Sequence, residues 1–255
     1  MVRTTVNLGE IDVCLIVFNE ELFLEKCLLR LAPYFQRIYV LDMGSTDRTI
    51  DIIRDIYGDR AEIVVQPRSD LFENGFAHAR NRVTQAATRS WVLHIDADEL
   101  LAPLDADVIS FESAPDAAAA AKILRHNLIG EIPADYEPET LRGMAKSSTE
   151  HQVRLFKKQP DVRWESFLHE EIWIGDRRAH EIVGASNLVV DHLSAFRPHA
   201  DRDEKELFYA WILMRVHDNP DLQRYMREFY TQEYIPHNLE RFRAMAKIFA
   251  EKKGI

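Results

Sequence analysis

Two acids separated by one residue, Asp96 and Asp98, directly follow the apolar run Trp91 to Ile95. The run reads as a buried strand, and acids at its carboxyl end stand where open parallel sheets bind ligands. With only small Ala97 between them, they concentrate negative charge where burial is costly without a compensating cation. Alternate residues of an extended chain share a face, so both carboxylates reach one site if the strand geometry persists. Hard carboxylate oxygens suit Mg²⁺ or Mn²⁺, ions that bridge protein acids to substrate phosphates. A D-x-D triplet is also an ordinary strand ending, so its weight depends on its neighbours.

Three neighbours add weight. Asn19 and Glu20 end the run Ile11 to Phe18, and Asp42 ends Ile38 to Leu41, which puts all three on the same sheet edge as Asp96. The backbone around Phe18 and Asn19 can frame a nucleobase, and Asp42 can accept from a base imide N–H. Asn19 is equally suited to cap a helix opening with Glu20 and Glu21. Arg80 sits on a helix of otherwise small and apolar residues; its guanidinium suits a phosphate clamp, the plainer reading being a surface cation.

The elements that must position these residues follow from periodicity. Ile11 to Phe18, Ile38 to Leu41, Ile63 to Val65 and Trp91 to Ile95 are strand-like. Between them run helical patterns, with Leu24, Cys27, Leu28 and Leu31 on the core face of the first and Pro33 at its end. Gly58 stops the second helix, and Asn74-Gly75 breaks the chain before the third. This alternation predicts an α/β fold with a mostly parallel central sheet flanked by helices. Beyond Glu99 the signal weakens. Leu104 to Phe111 is expected as a short helix, Ala117 to Leu124 as a strand, and Leu128 to Glu150 as a loop or lid. His151 to Phe156, Glu170 to Ile174 and Ser186 to Asp191 are further strand candidates. From about Ala200 the pattern is charged and helical.

The 255 residues carry 46% hydrophobic and 29% charged side chains, an ordinary globular balance, and a net charge of −10 that disfavours general nucleic-acid binding. Cys14 and Cys27 read as buried free thiols in a reducing compartment. Met1 to Glu10 has no apolar signal core and no run reaches membrane-span length, so a cytoplasmic location is expected, with peripheral contact at the inner membrane face left open.

Taken together, the stretches CLIVFNEELFLEKCLLRL, YVLDMGSTDRTIDII, GFAHARNRV and SWVLHIDADELL resemble the family 2 glycosyltransferases, in the bacterial branch with NEE, D-x-GSTD and DADE. VRLFKKQPDVRWESFLHEEI and VVDHLSAF continue the likeness more loosely. The resemblance implies the GT-A nucleotide-diphospho-sugar fold over residues 1–198, with a donor half (11–101), an acceptor half (102–198), and a C-terminal helical extension (199–255). It implies that Val17, Asn19, Glu20, Asp42 and Ala97 serve the nucleotide and that Arg80 lies near the diphosphate. Asp96 would touch ribose or metal, Asp98 would be the principal ligand of Mn²⁺ or Mg²⁺, and His192 would complete the metal site. Glu170 is the candidate general base, with His169 on the acceptor side, although Phe167-Leu168 departs from the small residues usual before this pair.

The implied activity is inverting transfer of a sugar from a nucleotide-diphosphate donor, UDP favoured over other bases, to a hydroxyl of a cell-envelope glycan or other glycoconjugate. A non-catalytic nucleotide-sugar- or carbohydrate-binding protein on the same fold is the alternative. A sugar nucleotidyltransferase ranks lower, because Asn19-Glu20-Glu21 would repel a triphosphate where that class carries a basic glycine-rich loop. No Gly-x-Ser-x-Gly elbow, P-loop or Gly-x-Gly-x-x-Gly occurs.

Overall fold

The structure is a computed structural model and describes residues 1–129, 146–197, 199–223 and 229–253. An edge strand, β1 (Val2–Asn7), precedes the strand-helix repeat: β2 (Ile11–Val17), α1 (Leu24–Leu31), β3 (Ile38–Asp42), α2 (Thr49–Tyr57), β4 (Ala61–Val65), α3 (Ser69–Ala86) and β5 (Trp91–His94). Strands β5, β2, β3 and β4 pair in parallel.

Burial along β2 shows how the sequence builds two layers at once. Val13, Leu15 and Val17 join one core with α1 and α2, whereas Cys14 joins the other with α3. Successive side chains of a strand point to opposite faces, so a continuous apolar run is what a sheet covered on both sides requires. Both cysteines are buried free thiols, and burial pushes both up from their ordinary values.

The remaining strands are β6 (Glu99–Leu101), β7 (Val108–Ser113), β8 (Ala120–Ile129), β9 (Lys146–Lys157), β10 (Val162–Glu165), β11 (Glu171–Ile174), β12 (Arg177–Arg178) and β13 (Ala185–His192). The main sheet runs β1-β7-β13-β8-β9-β5-β2-β3-β4, with β6 against β13. The pairs β5–β9 and β8–β9 are antiparallel and β8–β13 is parallel, so the sheet is parallel on the side of β4 and mixed beyond β5. Strands β10 to β12 form a small separate sheet.

Two expectations change. Leu104 to Phe111 is no helix: Ile109 and Phe111 are buried in alternation with Ser110 and Glu112, a period of two that pairing with β1 satisfies. Part of the expected loop 128–150 is strand, since β8 runs to Ile129 and β9 begins at Lys146; residues 130–145 lie outside the described residues. The C-terminal helices α4 (His199–His217) and α5 (Leu239–Lys253) pack on α3 through Phe72, Phe208, Trp211 and Phe249, and so share its core. Among the described residues, no helix is long and apolar enough to cross a membrane.

Candidate active site

The loops after β2 and β3 are clasped together. The backbone N–H of Asn19 donates to Ser45 Oγ at 2.9 Å, and Asn19 Oδ1 accepts from the Thr46 N–H at 2.8 Å. Glu20 N–H donates to Thr49 Oγ1 (2.7 Å), and Glu21 N–H to Asp47 Oδ2 (3.1 Å). Asn19 therefore does not cap a helix. It sits at φ 52°, a region Asn tolerates, and α1 begins only at Leu24. Asp42 is buried beneath the pocket wall, and its carboxylate accepts from the Ser45 N–H at 3.0 Å. In this conformation the surface there is made by Met43, Thr46 and Asp47 instead.

These loops form one wall of a cavity of about 1450 Å³ at the carboxyl ends of the parallel strands. Val17, Asn19, Glu20, Arg80, Ala97 and His169 all line it, as do Asp96, Asp98, Glu170 and His192. The extended geometry does not continue past His94, and Asp96 to Asp98 form a turn closed by Glu99 N–H donating to Asp96 O at 3.0 Å. The two acids consequently face different partners.

Asp96 is a counter-ion. Its Oδ1 is 2.9 Å from Arg80 Nη2, and its Oδ2 is 2.8 Å from Arg154 Nη2. Burial works against its ionisation, but the two guanidiniums outweigh it and hold the carboxyl well below the usual carboxylate range. Both oxygens of Asp96 are thus paired with arginine, one with Arg80 and one with Arg154. Arg80 is not a surface cation. It is buried, its Nε lies 2.5 Å from Glu170 Oε1, and its guanidinium packs 4.8 Å from the Trp164 ring. Burial opposes its charge, yet Asp96 and Glu170 raise its pKa above the ordinary arginine value. It links Asp96 to Glu170 while lining the cavity. Below it, Thr84 Oγ1 donates to the Arg80 carbonyl (2.7 Å) and contacts His94 Nε2 (2.8 Å). Burial first, then Arg80 and Arg154, push His94 well below its usual pKa.

Asp98 is buried and faces a guanidinium and an imidazole. Arg197 Nη2 lies 3.0 Å from its Oδ2, and His192 Nε2 lies 3.7 Å from its Oδ1. Pairing of β6 with β13 sets this meeting, because His192 is opposite Glu99 and the Leu193 N–H donates to the Asp98 carbonyl at 2.9 Å. Burial opposes ionisation of Asp98, and His192 and Arg197 more than offset it, so its pKa is lowered. The same guanidinium lies 2.5 Å from Glu20 Oε2. Burial, with help from the Asp98 charge, pushes the Glu20 carboxyl up to about 7 against the pull of Arg197.

Among the described residues, no group of three or more His, Cys, Asp or Glu side chains gathers as a metal cage. The fit is instead that of an open site. One oxygen and one imidazole nitrogen face each other beyond hydrogen-bond distance, which leaves the other coordination positions to substrate oxygens and water, as suits Mg²⁺ or Mn²⁺.

Glu170 is delivered by a strained loop. Ser166 (φ 85°) and His169 (φ 56°) both adopt left-handed backbone, and Phe167 and Leu168 between them are buried. The loop docks where α3 breaks at Gly75 (φ 75°): Phe76 N–H donates to Phe167 O at 2.9 Å, and a Cβ on Gly75 would meet that oxygen at 2.7 Å. Phe167-Leu168 is thus the hydrophobic foot that seats the loop. One turn along, the Asn81 amide pairs with both backbone groups of Trp164, at 2.8 and 2.9 Å.

Arg197 and Glu150, which line the cavity, carry no motif of their own, and Arg154 lies in the VRLF stretch without having been singled out. Glu150, Gln152 and Arg154 belong to the stretch of β9 from Glu150 to Arg154, every residue of which lines the cavity.

Comparison with known proteins accords with this geometry. The family model described as Glycosyl transferase family 2 matches residues 12–163, well over half of the chain. The SPbeta prophage-derived glycosyltransferase SunS of Bacillus subtilis is 32% identical over 157 residues, covering 62% of this chain and 33% of SunS. A TPR repeat-containing protein of Synechococcus elongatus is 28% identical over 164 residues, covering 64% and 35% respectively. The chain thus spans about a third of the length of the curated relatives it matches. Among solved structures, TarS of S. aureus superposes with a TM-score of 0.31 at 21% identity over 51% of this chain and 23% of TarS. Glucosyl-3-phosphoglycerate synthase from Mycobacterium tuberculosis superposes at 0.29 and 27% identity, over 36% and 34%. Both superpositions are partial. With its strand-helix repeat, its mixed sheet and the matched family model, the chain has the GT-A fold and belongs to glycosyl transferase family 2.

Proposed function

We propose that the chain is an inverting glycosyltransferase that moves a sugar from a nucleoside-diphosphate donor, a UDP-sugar in the first instance, to a hydroxyl of a glycan or other glycoconjugate. The observation that carries this reading is the facing of Asp98 Oδ1 and His192 Nε2 at 3.7 Å inside a cavity that also holds Asn19 and Glu170. Asp98 and His192 would hold a Mn²⁺ or Mg²⁺ ion, which supplies electrostatic stabilisation of the departing diphosphate. Val17, Asn19 and Ala97 wall the nucleoside end, with Asp42 stiffening the turn behind them. Arg197 and Lys205 line the same cavity and offer further positive charge to the phosphates.

On the acceptor side, Glu170 takes the proton of the attacking hydroxyl while the acceptor oxygen bonds to the anomeric carbon and the bond to the diphosphate oxygen breaks. Arg80 fixes the orientation of that carboxylate, and His169 borders the acceptor. The pairing of Glu170 with Arg80 also favours a second reading, a nucleotide-sugar-binding protein without turnover, in which Glu170 is a structural counter-ion. Two measurements separate them. Thermal shifts with UDP-, GDP-, CDP- and dTDP-sugars, with and without Mn²⁺, should show stabilisation by one nucleotide that needs the metal. Release of nucleoside diphosphate with a mixed acceptor panel then identifies an enzyme, and its absence supports the binding protein.

A further inference from the structure

Asn127, on β8, does not line the cavity, yet it touches His192 from behind. Strand register sets the two opposite each other, and Asn127 Oδ1 lies 2.9 Å from His192 Nδ1. The other end of the same amide donates from Nδ2 to Glu150 Oε1 at 3.1 Å, and Arg125 Nε donates to that oxygen at 2.8 Å. These contacts fix every donor and acceptor in the chain. The Arg125 guanidinium pairs with that same Glu150 oxygen, and a carboxylate paired with a guanidinium is ionised and only accepts. The NH₂ end of Asn127 must therefore face Glu150, which turns its carbonyl oxygen to His192. A carbonyl has no hydrogen to give, so His192 Nδ1 carries one, and a neutral ring then presents its lone pair on Nε2. That nitrogen is the one facing Asp98 Oδ1 across 3.7 Å.

We infer that Asn127, oriented by Glu150, is a positioning residue that holds His192 in the Nδ1–H tautomer with Nε2 free to ligate a cation. The inference rests on the metal reading of Asp98 and His192 for its purpose, but the tautomer itself belongs to the metal-free protein. Had the amide the opposite orientation, its NH₂ would donate to Nδ1, and Nε2 would carry the hydrogen and be closed to a metal. The arrangement also requires both partners, because without Glu150 nothing decides which way the amide points.

Long-range ¹⁵N–¹H NMR of the metal-free wild-type protein reads the tautomer directly. The expected result is a protonated Nδ1 and a bare Nε2 on His192; a protonated Nε2 overturns the inference. Mn²⁺ affinity, measured by electron paramagnetic resonance of the free ion, gives the second readout. Asn127→Ala should weaken binding about 10- to 100-fold, the usual range for loss of a hydrogen-bonding partner to a metal ligand. The paired variant Asn127→Asp with Glu150→Gln exchanges acceptor and donor between the two positions, keeps the proton on Nδ1, and should restore affinity. Wild-type affinity in Asn127→Ala, with loss in His192→Ala, overturns the role of Asn127 alone. Wild-type affinity in His192→Ala overturns the metal reading, and the tautomer measurement then decides whether Asn127 orients the ring.

Discussion

Asp96 and Asp98 stand two residues apart and do different work. Arginines occupy both oxygens of Asp96, whereas one oxygen of Asp98 faces an imidazole. Asp98→Ala should therefore abolish metal-dependent donor hydrolysis and Mn²⁺-dependent thermal stabilisation while circular dichroism stays unchanged. Full activity in that variant would sink the metal assignment. Glu20 offers a pH signature. Its folded carboxyl is raised from 4.5 to about 7, so its contribution to stability is complete below the unfolded value and is lost as pH rises through about 7. Glu20→Gln should melt higher than wild type at about pH 8, and the two should converge near pH 4.5 or below, as read by thermal unfolding across pH. Asn19, Asp98 and Arg80 were legible in the sequence because each follows a strand or sits on a strongly patterned helix. Arg197 and Glu150 were not, because they reach the site from far along the chain and only tertiary pairing brings them together; Arg154 lay in a recognised stretch, but its pairing with Asp96 was hidden. Even the legible residues had their partners hidden: Arg80 reads as a free cation until Glu170, ninety positions away, closes on it.

At the scale of elements, the decisive contact is between the break in α3 and the loop before β11. Gly75 has a conformation suited to glycine, and an added methyl would meet Phe167 O at 2.7 Å. Gly75→Ala should shift the Glu170 loop, cutting turnover with acceptor at least tenfold, an order-of-magnitude expectation for misplacing a base by under 1 Å. Mn²⁺-dependent donor binding should survive, since Asp98 lies in the turn just before β6 and His192 ends β13, both away from that loop. Comparing kcat with thermal shift on the same variant tests this. The glycine was visible as a breaker, but its use as a docking notch was not. The first four parallel strands were likewise readable from apolar runs, because burial on both faces leaves a continuous signal. Strand β7 was missed because its alternation is short and needs β1 alongside to become strand.

For the molecule as a whole, the C-terminal helices wall the cavity through Lys205, Phe208, Tyr209 and Lys253 instead of trailing from it. Arg68, at the start of α3, lies between the rings of Phe18 and Phe208 at 4.2 and 4.4 Å. Glu204 on α4 sits 4.0 Å from Arg68 and 2.7 Å from Lys253 on α5. Phe249→Ala removes a ring that is 1% exposed and should cost about 3–5 kcal/mol, read by denaturant unfolding, with a single transition shared by sheet and helices. Two separate transitions would show that residues 199–255 fold apart. The clasp between the loops after β2 and β3 has a different kind of consequence. Asn19, Glu20 and Glu21 are held by Ser45, Thr46, Asp47 and Thr49, and each loop supplies the other with hydrogen-bond partners. Neither loop can be exchanged alone without orphaning donors on its mate. A chimera that exchanges this wall of the cavity must graft the N-E-E and G-S-T-D segments together, as a single transplantable cassette.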